Sequence, residues 1–209
     1  MWRVVSFLFV LASCSASAAG SAEDGASESV RETIRIPLTL YVVTEKDVFE
    51  SALDSRRTVD DLATIADDIA PIWAQADVVF EPLLVREIQM PGDVVQELVV
   101  GGEFARFFQQ AGATFEVPDP GVINGFYLRR AFEYNGFTPN GSLVFFVADE
   151  PTVFDVRVSS HEIGHILGLS HALGDSRRLM FSGTNGIILT EAEQRQARMT
   201  ALEILDDAQ

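Results

Sequence analysis

The sequence has few basic residues and a single cysteine. Its 209 residues include 15 Lys and Arg against 31 Asp and Glu, which gives a formal net charge of -16. Such a surface repels the phosphate backbone of nucleic acids, so the composition argues against nucleic acid as a partner. The hydrophobic content is nevertheless 47%, with 15 Phe. This content indicates a folded chain, and the length suits one domain.

The N-terminal apolar run, residues 4–12, is too short to form a transmembrane helix. With one Arg before it and small residues after it, the run is typical of a secretory signal peptide. Residues 11–14, Leu-Ala-Ser-Cys, resemble a bacterial lipobox. We therefore predict a signal peptide over 1–13 and a lipid on Cys14, which attaches the protein to a membrane of the bacterial cell envelope. An ordinary signal peptide cleaved a few residues later, which leads to secretion, is the alternative.

Cys14 is the only cysteine, so a lipid on it leaves no thiol for a disulfide. Stability must then come from packing and from a metal ion. Residues 14–32 are small, polar and acidic, which predicts a flexible tether that lets a domain stand off the membrane. That domain is expected to span residues 33–209.

Hydrophobic periodicity predicts an α+β domain with helices packed on a small sheet. Strand-like segments lie at residues 33–43, 77–88, 122–128 and 143–148. The first of them alternates as a half-buried strand does, and Pro37 suggests that its start lies at a sheet edge. Helices are expected over 59–75, bent near Pro71 and begun by a capping box of Thr58 and Asp61, and within 94–111.

All three histidines lie in one eleven-residue stretch, HEIGHILGLSH, at residues 161–171. A helix is predicted over 153–168, with Thr152 and Asp155 as a capping box at its start. Histidines four residues apart on such a helix leave the same face, so they can bind one metal ion.

The predicted metal ligands are His161, His165 and His171. Gly168 can leave the helical conformation at no steric cost, so the chain can turn and bring His171 to the ion that the other two bind. Three nitrogen ligands with a fourth position open to water are typical of catalytic zinc, whereas structural zinc usually has four protein ligands.

Glu162 follows the first of these histidines and is expected beside the metal rather than on it. Zinc lowers the pKa of a bound water toward neutrality and polarises a substrate carbonyl. The carboxylate of Glu162 can take the proton of that water and deliver it to the leaving amine. The stretch therefore predicts zinc-dependent hydrolysis of peptide bonds, with Glu162 as general base and acid.

The sequence resembles the metzincin clan of zinc metallopeptidases, whose signature HExxHxxGxxH is matched by residues 161–171. Met180 is similar to the methionine of the clan's Met-turn, a tight turn beneath the metal; an ordinary core methionine is the alternative. The resemblance implies a metzincin-like α+β fold, with a twisted mixed β-sheet and packed helices in an upper lobe. The active-site helix, the Met-turn and a C-terminal helix in a small lower lobe complete the implied fold.

The last helix is expected to start with a capping box of Thr190 and Glu193. Met199, Leu202 and Leu205 follow at helical spacing and predict the apolar stripe that packs on the core. The opening of this helix, LTEAEQRQAR, resembles that of matrixin-like and pappalysin-like metzincins.

Two departures from the clan leave the family unassigned. Ala172 follows the third histidine, where astacins, matrixins, adamalysins and serralysins have Glu, Ser, Asp and Pro. Phe181 and Ser182 follow Met180, so the tyrosine that is an extra zinc ligand in astacins and serralysins is missing. The resting metal is therefore expected to have three His ligands and a water.

The acidic surplus could include calcium sites, as in several related families. The sequence contains no EF-hand-like loop, and scattered Asp and Glu are more often a solvated surface. We assign no calcium ligands.

Two functions from different classes follow. The first is a zinc endopeptidase anchored in the bacterial cell envelope. Its peptide or protein substrate adds to an edge strand supplied by the loop 132–141 or by the strand after it. The alternative is a non-catalytic zinc- or partner-binding envelope lipoprotein on a metzincin-like fold. Glu162 argues against the alternative, because metal storage needs no carboxylate beside an open coordination position.

Overall fold

A computed structural model describes residues 32–101, 121–131 and 133–208. The predicted signal peptide, Cys14 and the tether up to residue 31 lie outside these ranges, as does the part of the predicted helix 94–111 that follows residue 101. No helix within the described ranges is long and apolar enough to span a membrane.

The described residues form strands and helices in mixed order. They are β1 (Ile34–Glu45), α1 (Val59–Trp73), β2 (Val78–Met90), α2 (Gly92–Gln96), β3 (Ile123–Leu128), β4 (Gly136–Phe137), β5 (Val144–Ala148), α3 (Asp155–Ile166) and α4 (Glu191–Asp207). A 3-10 turn, Ala74–Ala76, follows α1, and a π-helix, Glu97–Gly101, follows α2. The predicted strands and the first predicted helix are therefore present, with bounds that differ by a few residues.

The five strands form one sheet in the order β2-β1-β3-β5-β4. Strand β1 pairs in parallel with β2 and β3, and β3 pairs in parallel with β5. Only the short β4, among the described strands, is antiparallel to its neighbour β5. The sheet is mixed, as the metzincin resemblance implies, but most of its pairs are parallel, so its strands need crossover connections such as α1.

Strand β1 is buried on both faces, whereas its alternating sequence predicted a half-buried strand. Every residue from Leu38 to Val43 is buried. On one face, Leu40 and its neighbours pack with α1 and α3 in the larger core cluster. On the other face, Tyr41 and Val43 pack with α2 and the π-helix. The half-buried prediction was wrong because helices cover both faces, which is usual for parallel strands.

Pro37 lies near the start of a strand that is central in the sheet. In the described part of the chain, residues 34–36 pair with β2 only, Pro37 has no partner in the register, and pairing with β3 begins at Leu38. The register between β1 and β2 shifts between Ile36 and Leu38. Since proline has no N–H to donate, its place at a register shift leaves no ladder bond unmade.

Helix α3, which carries the first two histidines, begins at Asp155 and not at Val153, and the predicted capping box of Thr152 and Asp155 is wrong. The carboxylate of Asp155 instead accepts two hydrogen bonds from the Arg57 guanidinium, at 3.0 and 2.8 Å. The backbone N–H of Thr152 donates to Asn135 Oδ1 at 2.8 Å. A bidentate, charge-assisted pair is stronger than a neutral cap, and it joins the first turn of α3 to the segment before α1.

The C-terminal helix α4 has the predicted capping box, with Thr190 and Glu193 bonded reciprocally. Its predicted apolar stripe is wrong in two positions, because Met199 is 57% and Leu202 is 51% exposed. Ala197 and Ala201 are fully buried instead. Small side chains let the helix approach the core closely, so periodicity of large residues indicated the wrong face.

Candidate metal centre

Helix α3 carries two of the three histidines on one face. His161 and His165 are separated by one turn, and their ring centroids lie 4.8 Å apart. His161 is buried, while His165 is half-buried at the side of an open cleft. The predicted helical spacing therefore places both imidazoles together.

The chain reverses at Gly168, directly after α3. Gly168 has a φ of +78°, a conformation that L side chains rarely adopt. A Cβ at this position would also lie 2.8 Å from Thr200 Oγ1 of α4. Both the backbone conformation and the close approach require glycine. The predicted turn is therefore present.

The turn brings His171 to the two helical histidines. The Nε2 atoms of His165 and His171 are 3.2 Å apart. The ring of His171 lies 5.2 Å from that of His161, between centroids. One ligand nitrogen from each residue lies within 4.8 Å of the other two, and within the described ranges this is the one such cluster of His, Cys, Asp or Glu side chains.

Backbone carbonyls orient the two helical imidazoles. His161 Nδ1 lies 2.9 Å from the Leu179 carbonyl oxygen, and His165 Nδ1 lies 2.9 Å from that of Leu169. A carbonyl can only accept, so each Nδ1 carries the hydrogen and each Nε2 presents its lone pair. Burial lowers the pKa of His161 to about 3 and also lowers the pKa of His165. Both rings are therefore neutral, the form that binds metals.

Glu162 lies in the same cleft as the histidines and is buried. Its Oε2 accepts a hydrogen bond from Thr138 Oγ1 at 2.9 Å. Burial raises the pKa of Glu162 to about 7, because a buried carboxylate loses its hydration. A carboxyl with a pKa near neutrality can both take and release a proton at physiological pH.

Met180 packs against α3 at Gly164, which lies between His161 and His165 in the sequence. It is fully buried, and a Cβ at Gly164 would lie 2.5 Å from its sulfur. The backbone N–H of Ala172 donates to the Met180 carbonyl at 2.8 Å. The methionine therefore lies directly against α3. Gly164, which could not be recognised from the sequence, is the position that allows this approach.

Arg157 is a second residue of the site that could not be recognised from the sequence. It is one turn before His161 and is buried, and its Nη2 donates to the carbonyl of Leu179 at 3.0 Å and to that of Phe181. These carbonyls flank Met180 in the chain. Burial lowers the pKa of Arg157, while the nearby Glu162 opposes that change. Its position four residues before His161 was the only signal in the sequence.

The cleft beside the histidines is walled by three parts of the chain. Helix α3 forms one wall, residues 134–143 form another, and Thr200, Glu203 and Asp207 of α4 lie on a third. The sequence left open whether the loop 132–141 or the strand after it supplies an edge. Strand β4, within that loop, is the outermost strand on this side, because β5 pairs with both β3 and β4.

The arrangement of the sheet, the helices and the three histidines can be compared with that of proteins of known structure. Among solved structures with a similar fold is archaemetzincin from Methanopyrus kandleri, with a TM-score of 0.50 and 13% sequence identity. The similarity covers 80% of this chain and 95% of that chain. No protein-family model and no curated protein sequence matches the chain. At this identity the likeness shows the fold alone.

Proposed function

We propose that the protein is a zinc-dependent endopeptidase. The observation that carries this proposal is that three imidazoles converge in a cleft that also contains the buried carboxylate of Glu162. Two of the imidazoles and the carboxylate come from α3, and the third imidazole comes from His171 after the turn. Three nitrogen ligands leave one coordination position for water, as catalytic zinc requires. The raised pKa of Glu162 favours a role in proton transfer over the alternative of a non-catalytic zinc- or partner-binding protein.

The donor set fits zinc. His161 and His165 are neutral and oriented by carbonyls, and His171 lies within reach of the same point. We assign these three residues as the zinc ligands. Bound zinc supplies Lewis acidity toward a substrate carbonyl and lowers the pKa of water to near neutrality.

Glu162 is the general base and acid in this proposal. Its carboxylate accepts a proton from the attacking water and later delivers that proton to the leaving amine. The buried Arg157 guanidinium lies close enough to favour the ionised carboxylate, which is the form that starts the cycle. Glu162 and Arg157 both lie on α3, whereas the hydrogen bond to the carboxylate comes from Thr138 on the opposite wall of the cleft.

The substrate is a peptide or a protein segment in extended form. Strand β4 is the outer strand of the sheet on the side of the cleft, and Gly136 and Phe137 line that cleft. An extended peptide that adds to this edge would be read mainly through its backbone.

Three finer features of the proposal come from the sequence. The opening of α4 resembles that of matrixin-like and pappalysin-like members. The division into two lobes is implied by the resemblance to the metzincin clan as a whole. We propose in addition that the lipobox-like residues 11–14 direct a lipid to Cys14, which would hold the protein at the bacterial cell envelope.

Chelation tests the proposed function directly. We expect the purified full chain to contain one zinc ion, to cleave members of a peptide library, and to lose and regain activity when zinc is removed and restored. Metal analysis and mass spectrometry of the library measure the two results. A zinc-loaded protein that cleaves no peptide would support the non-catalytic alternative.

Replacement of the lipobox cysteine tests the anchor. Cys14→Ser should remove the acyl chains and release the protein from the membrane fraction, because no other cysteine is present to accept a lipid. Intact mass spectrometry measures the acylation, and Ser13→Ala, which keeps a small residue before the cysteine, is the control that should stay lipidated. Unchanged acyl labelling in Cys14→Ser would overturn the lipoprotein interpretation.

A further inference from the structure

The outer strand β4 lies directly against the active-site helix. A Cβ at Gly136 would lie 2.7 Å from Val158 Cγ1, 2.8 Å from the Phe146 carbonyl oxygen and 3.1 Å from Glu162 Cγ. Any side chain at this position would push the strand away from α3. Glycine therefore allows the backbone of β4 to pass beside the side chain of Glu162.

This approach places Thr138 over the Glu162 carboxylate. Thr138 Oγ1 lies 2.9 Å from Oε2 of Glu162 and 3.0 Å from the backbone carbonyl oxygen of the same residue. Glu162 is 5% exposed. Among the described residues, this hydroxyl is the one hydrogen-bond partner of the carboxylate, and Oε1 has none.

We propose that Thr138 is a positioning residue for catalysis, whose hydroxyl fixes the Glu162 carboxylate through Oε2 so that Oε1 exchanges the proton with water and the leaving amine. This inference rests on the proposed function. It links a residue next to the proposed substrate-binding strand β4 to the proposed catalytic carboxylate on α3. The hydrogen bond between them would fix the position of one part of the site relative to the other.

The hydroxyl suits both forms of the carboxyl that the cycle requires. When Glu162 is ionised, the charged Oε2 is the stronger acceptor, so the Thr138 hydrogen points to it. When Oε1 carries the proton, the same hydroxyl can stay on Oε2 or rotate to the Glu162 carbonyl oxygen, 3.0 Å away. Thr138 neither gains nor loses a proton, and the proton taken from water leaves with the amine.

Kinetics of Thr138 variants test this role. Thr138→Val keeps the shape of the side chain and removes the hydroxyl, so we expect kcat to fall by about 10- to 100-fold, because a misdirected base misses its near-attack geometry. Zinc content should stay near that of wild type, since no ligand changes. KM should change far less than kcat, because a peptide that adds to β4 is read mainly through its backbone. Thr138→Ser keeps the hydroxyl and should restore most of kcat.

Thr64→Val is the matched control. It also removes a threonine hydroxyl that donates to a backbone carbonyl, but on the exposed face of α1 and not in the cleft. Its kcat should therefore be that of wild type. A Thr138→Val enzyme with wild-type kcat would overturn the proposal. So would a Thr138→Ser enzyme that is as slow as the valine variant.

A double-mutant cycle tests the contact without any activity. In thermal unfolding of the full chain, Thr138→Val should shift the midpoint differently in the wild-type and Glu162→Ala backgrounds, because the two side chains interact. Equal shifts would overturn the contact and the proposal. If the shifts differ but the wild-type protein cleaves no peptide, the contact between Thr138 and Glu162 would stand. The proposed peptidase function and the catalytic role of Thr138 would then be overturned.

Discussion

Glu162→Ala should lower kcat/KM for peptide cleavage by about 10²- to 10⁴-fold, the range that a positioned general acid and base contributes. The zinc content should stay at one ion per chain, because Glu162 is expected beside the metal and not among its ligands. Activity on a peptide identified from the library and metal analysis of the same sample are the two measurements.

Glu191→Ala is the control for that substitution. It also removes one negative charge, but from an exposed side chain at the start of α4, and both activity and zinc content should be those of wild type. An active Glu162→Ala enzyme would show that another group moves the proton. Loss of zinc along with activity would instead point to a structural role for the buried carboxylate.

His171→Ala should lower the affinity for zinc by more than about 100-fold, since removal of an outer-shell partner alone costs up to that much. His171 is exposed and lies after the turn at Gly168, so its removal should disturb the core less than removal of His161 would. Competition with a zinc-binding dye measures the affinity directly.

Ser170→Ala, at the exposed neighbouring position, controls for changes in the turn and should keep full zinc affinity. The sequence contains no fourth histidine that could replace the lost ligand. Full zinc occupancy in His171→Ala would contradict the assignment of the third ligand.

Local spacing was enough to predict the core of this site. The four-residue interval between His161 and His165 fixes a shared helical face, and Gly168 supplies the left-handed turn that the return of His171 requires. These relations span few residues, so they can be inferred without the fold.

The contacts that hold the site could not be predicted in this way. Thr138 reaches Glu162 from another element, and Arg157 binds carbonyls more than twenty residues away. Nothing in the local sequence indicates such partners, because they depend on how the sheet and the turn after α3 pack on the helix.

The wrong predictions have the same origin. Asp155 has the spacing of a capping residue, but Arg57 binds it from a distant segment. Met199 and Leu202 have the period of a buried stripe, but the close packing of Ala197 and Ala201 turns them to solvent. Local sequence patterns indicate which caps and buried faces are compatible with a helix. Contacts with residues distant in the sequence determine which of them form.

The Leu179 carbonyl oxygen faces both His161 Nδ1 and Arg157 Nη2, at 2.9 and 3.0 Å. With both lone pairs engaged, this oxygen stops the imidazole from rotating before any ion arrives. Because the His161 ring is already fixed, metal binding loses little conformational entropy at this ligand. Preorganisation of this kind increases binding affinity. The metal-free protein is thus expected to keep a poised site, so that zinc exchange proceeds without refolding of the domain.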